Sequence, residues 1–256
     1  MWCSDVNFPF LAFRAEALFT GAGAYSSDRA GRALGGDAAM IVMNQLIAGY
    51  DRQPVTRAIS GVIERGSMTA IIGANGCGKS TLLKTLAGFI PPVSGRFRWQ
   101  EKRPVIGWLA QRHALEAQFP LTVQDVVSMG CWPRVSLFSG FRRETRSRIA
   151  SALERVGLDA MALSTIDALS GGQFQRMLFA RILVQQAPLV MLDEPFTGVD
   201  EATCNVLMDL MLEMYMQGQT LLAVLHDSER VSRHFPQTLR LDTAIPHWKT
   251  ERVRVA

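Results

Sequence analysis

The chain has 256 residues, 48% of them hydrophobic and 20% charged, a balance that excludes disordered, fibrous and disulfide-scaffold proteins. Its net charge of +4 comes from 27 basic and 23 acidic residues that form no basic stripe, so no nucleic-acid partner is expected. No segment reaches the ~18 uninterrupted apolar residues that span a bilayer.

Residues 1–39 are atypical: after the apolar Phe8–Phe13 they are rich in Gly, Ala, Ser and Arg. Asp5, Arg14 and Glu16 make a poor signal peptide. A flexible extension is expected, or a natural start at Met40 or Met43, with folded sequence from about Ile41. Ile41–Tyr50 and Gly95–Gln100 read as leading antiparallel strands, an N-terminal antiparallel β subdomain. Met68–Gly73, Val105–Ala110, Leu189–Leu192 and Thr220–Leu225 are short apolar runs with the character of buried strands. Helical patterns cover Lys79–Gly88, Phe174–Gln186 and Glu201–Met216, with a shorter one after His226. Strands alternating with helices imply an α/β fold, a mainly parallel sheet covered on both faces. Between Arg112 and Ala168 no strand signal occurs. Thr122–Met129 and Arg143–Val156 read as helices, giving a helical insertion over about 112–168. One domain over 40–245 is expected, followed by a short tail at 246–256.

Four cysteines, Cys3, Cys77, Cys131 and Cys204, contain no C-x-x-C pair, so no zinc site is expected. Cys77 falls in the loop described next, where a disulfide would obstruct a ligand. A reducing compartment follows.

Gly73, Ala74, Asn75, Gly76, Cys77, Gly78, Lys79 and Ser80 match G-x-x-x-x-G-K-[ST], entered by a strand and left by a helix. Glycines there let successive N–H groups converge on phosphate oxygens, and the helix start adds partial positive charge. Lys79 is expected on the β- and γ-phosphates of ATP and Ser80 on Mg²⁺, with Thr81 adding a second hydroxyl. Downstream, four apolar residues deliver Asp193 and Glu194 to the carboxyl edge of the sheet, where ligands of open α/β sheets bind. Asp193 suits a water-mediated Mg²⁺ contact. Glu194 suits the base that polarises the attacking water.

Leu169, Ser170, Gly171, Gly172 and Gln173 read as a second exposed phosphate-binding turn at a helix start. This run resembles the signature sequence of ABC ATPases, and from about Ile41 to Leu241 the chain resembles an ABC transporter nucleotide-binding subunit. The resemblance implies that Ser170, Gly171, Gly172 and Gln173 close over ATP held by the opposite subunit, in a head-to-tail homodimer. It implies a glutamine at Gln111 that senses Mg²⁺ and the nucleophilic water, a switch histidine at His226, a dimer-interface acid at Asp200 and an adenine-stacking aromatic at Tyr50. The Gly198-Val199-Asp200 run departs from the more common Ala-Leu-Asp.

It further implies integral-membrane permease subunits as partners, indirectly a substrate-binding protein, and a peripheral location on the cytoplasmic face of the inner membrane. Phe119, Trp132, Phe138 and Phe141 either dock the permease or fill the insertion's own core; at least Trp132 or Phe138 is expected to face the partner. Gln111-Arg112, the run from Phe119 to Val123, that from Glu194 to Asp200 and that from Val224 to Pro236 resemble the zinc and manganese importers. Siderophore and haem importers are similar. Import is expected because exporters usually fuse membrane and ATPase domains. The competing class, soluble ABC ATPases of DNA repair, chromosome handling or translation, generally carries a long coiled coil or two ATPase domains. Here Lys79 and Ser170 are too close for a coiled coil, and each motif occurs once. A P-loop kinase would need neither the signature turn nor the switch histidine.

Overall fold

A computed structural model describes residues 38–110, 121–134, 142–242 and 246–250, excepting the side chains at 133 and 134. Expectations for the N-terminal extension and for Gln111, Phe119, Phe138 and Phe141 lie outside these residues.

The first strand, β1 (Ala39–Ile47), pairs antiparallel with β4 (Ile59–Glu64) on one side and β6 (Ser94–Trp99) on the other. Between them β2 (Gly49–Tyr50) and β3 (Gln53–Pro54) form a two-stranded hairpin. The expected continuous strand to Tyr50 is interrupted at Ala48, whose carbonyl accepts the N–H groups of Val55 and Thr56 and whose own N–H donates to Thr56 Oγ1. Within β1 the register shifts between Met43 and Leu46, with Gln45 at φ 49°.

The second sheet contains β5 (Met68–Ile72), β7 (Ile106–Leu109), β8 (Leu189–Asp193), β9 (Thr220–Val224), β10 (Gln237–Arg240) and β11 (His247–Thr250), in the order β11-β10-β5-β9-β8-β7. All neighbours are parallel except β10 and β11. Every residue of β8 and β9 is buried, as expected for parallel strands covered on both faces. Alternation divides their side chains between two cores. Val190, Leu192, Leu221 and Ala223 pack with the helices on one face. Leu189, Met191, Leu222 and Val224 pack with β1 and β4 and with α1 (Lys79–Leu86) on the other.

The described part of the insertion is helical: α2 (Val123–Ser128), a 3-10 turn at Met129–Arg134 and α3 (Arg143–Arg155). Thr122 caps α2 in a reciprocal pair with Asp125 and bridges to Thr165, which ties the two ends of the segment together. The chain then enters α4 (Gly171–Gln185), α5 (Glu201–Met216) and α6 (Ser228–His234). Helix α4 begins at Gly171 rather than Phe174, because Ser170 caps it. The segment 247–250, expected to open a terminal tail, is instead the edge strand β11, and Trp248 Nε1 donates to Ser60 O at 3.0 Å.

Among the described residues no helix is long and apolar enough to cross a membrane. Cys77, Cys131 and Cys204 are free thiols, and burial pushes those of Cys131 and Cys204 up.

Candidate functional site

After β5 the chain curls through residues 73–78 into α1. Gly78 holds φ 94°, and a Cβ there would lie 2.5 Å from Thr56 Cγ2. Thr56 cannot easily yield, because its hydroxyl accepts the Ala48 N–H at 2.8 Å in a buried bond. Only glycine meets both the conformational and the steric demand. Lys79 is 5% exposed, and its Nζ donates to Gly73 O and Ala74 O, each at 2.9 Å. The ammonium is therefore held inside the loop rather than spread into solvent. No side chain caps α1, so its first N–H groups are available to an anion at the helix start.

The ends of β8 and β9 supply the opposing wall. Their register pairs Asp193 with Val224, so Glu194 and, two residues past Val224, His226 both emerge just beyond the sheet's edge. Asp193 is 1% exposed and accepts from Ser80 Oγ at 2.7 Å. Burial raises its carboxyl above the usual range and Glu194 adds to this, against the hydrogen bond from Ser80 and the charges of Lys84 and Lys79. A buried carboxylate beside a hydroxyl is a pair of hard oxygen donors short of positive charge, which fits a divalent cation such as Mg²⁺. The uncapped helix start and the enclosed Lys79 likewise fit a nucleotide's phosphates.

Glu194 has φ 54°, an uncommon conformation for a side-chain-bearing residue. Thr197 Oγ1 donates to its Oε2 at 3.1 Å, and His226 Nε2 lies 2.8 Å from its Oε1. Burial pushes this carboxyl up, yet the hydrogen bonds from His226 and Thr197 and the charges of His226 and Lys79 outweigh that and hold it below the usual range. Two adjacent carboxyls thus have opposed tendencies, set by burial at Asp193 and by hydrogen bonding at Glu194.

Val55, Asn75, Gly76, Gly78, Lys79, Ser80, Thr81, Glu194 and His226 line one cleft of about 670 Å³. Several expected residues stand apart from it. Tyr50 is 44% exposed on the β2–β3 hairpin, and Val55, unforeseen in the sequence, faces the cleft. Ser170 and Gln173 form a reciprocal cap: Ser170 N donates to Gln173 Oε1 at 2.8 Å and Gln173 N to Ser170 Oγ at 3.3 Å. Asp200 caps α5, accepting the Thr203 N–H at 2.7 Å. These two helix starts touch: a Cβ on Gly172 would lie 3.0 Å from Thr203 Oγ1. None of Ser170, Gln173 and Asp200 lines the cleft; they meet at the starts of α4 and α5 instead.

Besides Val55, the sequence reading misses two participants. Thr197 was within reach, lying three residues beyond Glu194 in a turn. Gln175 is 5% exposed and donates from Nε2 to Pro195 O at 2.7 Å, joining α4 to the turn that carries Glu194. Its only local signal is a polar residue on an otherwise apolar helix face.

A phosphate-cradling loop opposite a carboxylate strand end, on a parallel sheet, defines a P-loop nucleotide hydrolase. The ABC transporter sequence profile matches residues 56–197. The zinc transport system ATP-binding protein TroB of Treponema pallidum is 38% identical over 210 residues, covering 80% of this chain and 79% of its own. The manganese transport system ATP-binding protein MntB of Bacillus subtilis is 36% identical over 206 residues, covering 78% and 82%. Among solved structures, an ABC transporter in an inward-facing conformation is 25% identical with TM-score 0.70, covering 83% of each chain. The dimeric bacterial cassette MJ0796 is 24% identical with TM-score 0.72, covering 83% of this chain and 99% of its own. The chain belongs to the ABC transporter family as an ATP-binding, ATP-hydrolysing subunit.

Proposed function

We propose that this subunit powers import of zinc or manganese through membrane permease subunits, working as a head-to-tail homodimer on the cytoplasmic face of the inner membrane. The observation that carries the hydrolytic part is the carboxylate of Glu194, held between Thr197 and His226 at the rim of the phosphate-loop cleft. The cargo reading rests on the zinc and manganese systems named for TroB and MntB.

Lys79 and the α1 N-terminus hold the β- and γ-phosphates of ATP, with the backbone of Gly73, Ala74, Asn75, Gly76, Cys77 and Gly78 as the cradle. Ser80, and Asp193 through water, would hold Mg²⁺ with Gln111 sensing it, and the ion would neutralise phosphate charge; Thr81 adds a second hydroxyl to the nucleotide cradle. Glu194 takes a proton from the attacking water while His226 and Gln111 orient it. Tyr50 stacks on adenine. Ser170, Gly171, Gly172 and Gln173 reach the nucleotide of the partner subunit, which accounts for their placement away from this chain's own cleft, and Asp200 lies at that interface.

Trp132, 51% exposed, supports a docking role in the insertion, whose own core is filled by Val123, Val126, Val127, Cys131, Ile149 and Leu153. A substrate-binding protein completes the system outside the membrane.

The test uses cells lacking the gene, complemented with wild type or Glu194→Gln, and follows uptake of radiolabelled zinc and manganese. Uptake is expected with wild type alone, while purified Glu194→Gln binds ATP and turns over about 10²–10⁴-fold more slowly. Near-normal turnover refutes the base assignment. Uptake of a metal chelate without free-metal uptake moves the cargo to chelates.

A further inference from the structure

The two groups that grip Glu194 come from different segments. Thr197 belongs to the turn after β8 and His226 to the turn after β9, beyond the last ladder pairs of those strands. One side chain touches both turns. The Arg230 guanidinium lies 5.0 Å from the ring centroid of Phe196, the residue before Thr197. Its Nε donates to Asp227 Oδ2 at 3.3 Å, on the residue after His226. Its Nη2 donates to both carboxylate oxygens of Glu201 at 3.0 Å, the first residue of α5. Asp227 is itself fixed, accepting the N–H groups of Glu229 at 2.9 Å and Arg230 at 3.0 Å.

We propose that Arg230 is a positioning residue for ATP hydrolysis, clamping the Phe196–Thr197 turn to the His226–Asp227 turn and so fixing both groups that orient Glu194. The proposal rests on the reading of Glu194 as the base. A purely stabilising role fits the site poorly. Glu201 is 73% exposed while the arginine side chain is 14% exposed, and ion pairs with one exposed partner contribute little. Nη1 is buried with no carboxylate or carbonyl partner among the described residues, and the guanidinium's remaining partner is the weakly accepting Cys204 thiol. A buried donor facing only a weak acceptor gains little stability, so stability alone gives a poor account of an arginine here. What the guanidinium supplies is geometry: a flat face for Phe196 and directed N–H groups at its edge for two carboxylates. Through Glu201 the clamp also reaches the start of α5, against which the signature turn packs at Gly172.

The test uses the purified full chain with MgATP. Arg230→Met and Arg230→Lys are each made in the wild-type and Glu194→Gln backgrounds, and kcat, KM, ATP affinity and Tm are measured. Arg230→Met is expected to lower kcat about ten-fold through misorientation, with KM and affinity within about two-fold of wild type. Arg230→Lys recovers part of the loss. In the Glu194→Gln background Arg230→Met changes residual turnover less than about two-fold, because the group being positioned has lost its function. Wild-type kcat in Arg230→Met overturns the clamp, as does an equal loss in both backgrounds or a fall in affinity matching that in kcat. If Arg230→Met does not fold, Arg230→Lys decides: a kcat loss at unchanged KM supports the clamp and an unchanged kcat overturns it. Normal turnover in Glu194→Gln alone is separate: it removes the base assignment and with it the clamp's target.

Discussion

Alanine placed at either of two glycines of the phosphate loop separates conformational strain from steric conflict. Gly76 has φ 80° with nothing within 4 Å of the point a Cβ would occupy, whereas Gly78 has φ 94° with Thr56 Cγ2 at 2.5 Å and Val55 Cγ1 at 3.1 Å. Positive φ costs a side-chain-bearing residue about 1–2 kcal/mol, and this is the whole expected effect of Gly76→Ala. Gly78→Ala adds an overpacking cost of about 1–3 kcal/mol, since Thr56 is tied to Ala48 by its hydroxyl. For a domain of this size each kcal/mol lowers Tm by about 2–4 °C. Calorimetry without nucleotide should therefore place Gly78→Ala below Gly76→Ala by about 2–12 °C on these same figures. Equal melting temperatures for the two variants refute the view that the loop is built against Thr56.

Ser170→Ala removes one half of the reciprocal cap on α4 and should cost about 1 kcal/mol of stability. If Ser170 acts on the partner's nucleotide, turnover should fall about 10²-fold while ATP binding by the isolated chain stays unchanged, as titration calorimetry would read. Asp193→Asn tests the buried carboxyl. Its folded pKa is raised by burial, so its stabilising contribution is present below the ordinary carboxylate range and is lost as pH rises through the raised value. Asparagine mimics the protonated form. The variant should thus melt above wild type at neutral pH without ligand. Wild type should gain about 2.7 kcal/mol from MgATP at a hundred times its Kd, and Asp193→Asn much less; scanning fluorimetry at several pH values reads both.

The strands β5, β7, β8 and β9 were legible because each is a short apolar run bounded by turn or polar residues, a local property of contiguous residues. Besides the two-residue β3, three others were not. Gly61 breaks the alternation of β4, and Gln237–Arg240 is too polar to read as a strand. Its pairing with β5 makes it one. The edge strand at His247–Thr250 is held by β10 and by Trp248 reaching Ser60, contacts between residues far apart in sequence.

What the sequence determined by itself is the phosphate chemistry and the alternating architecture. Both rest on spacing rules that act over a few residues: glycines before Lys79, carboxylates at the end of an apolar run, Ser170 at a helix start. What only the tertiary structure decided is which groups meet. The parallel register of β8 and β9 sets His226 against Glu194, and the position of α1 sets Ser80 against Asp193. The packing of α4, α5 and α6 brings Gln175 to Pro195 and Arg230 to both turns around Glu194. Those pairs are fixed by strand register and helix packing, which no local pattern records.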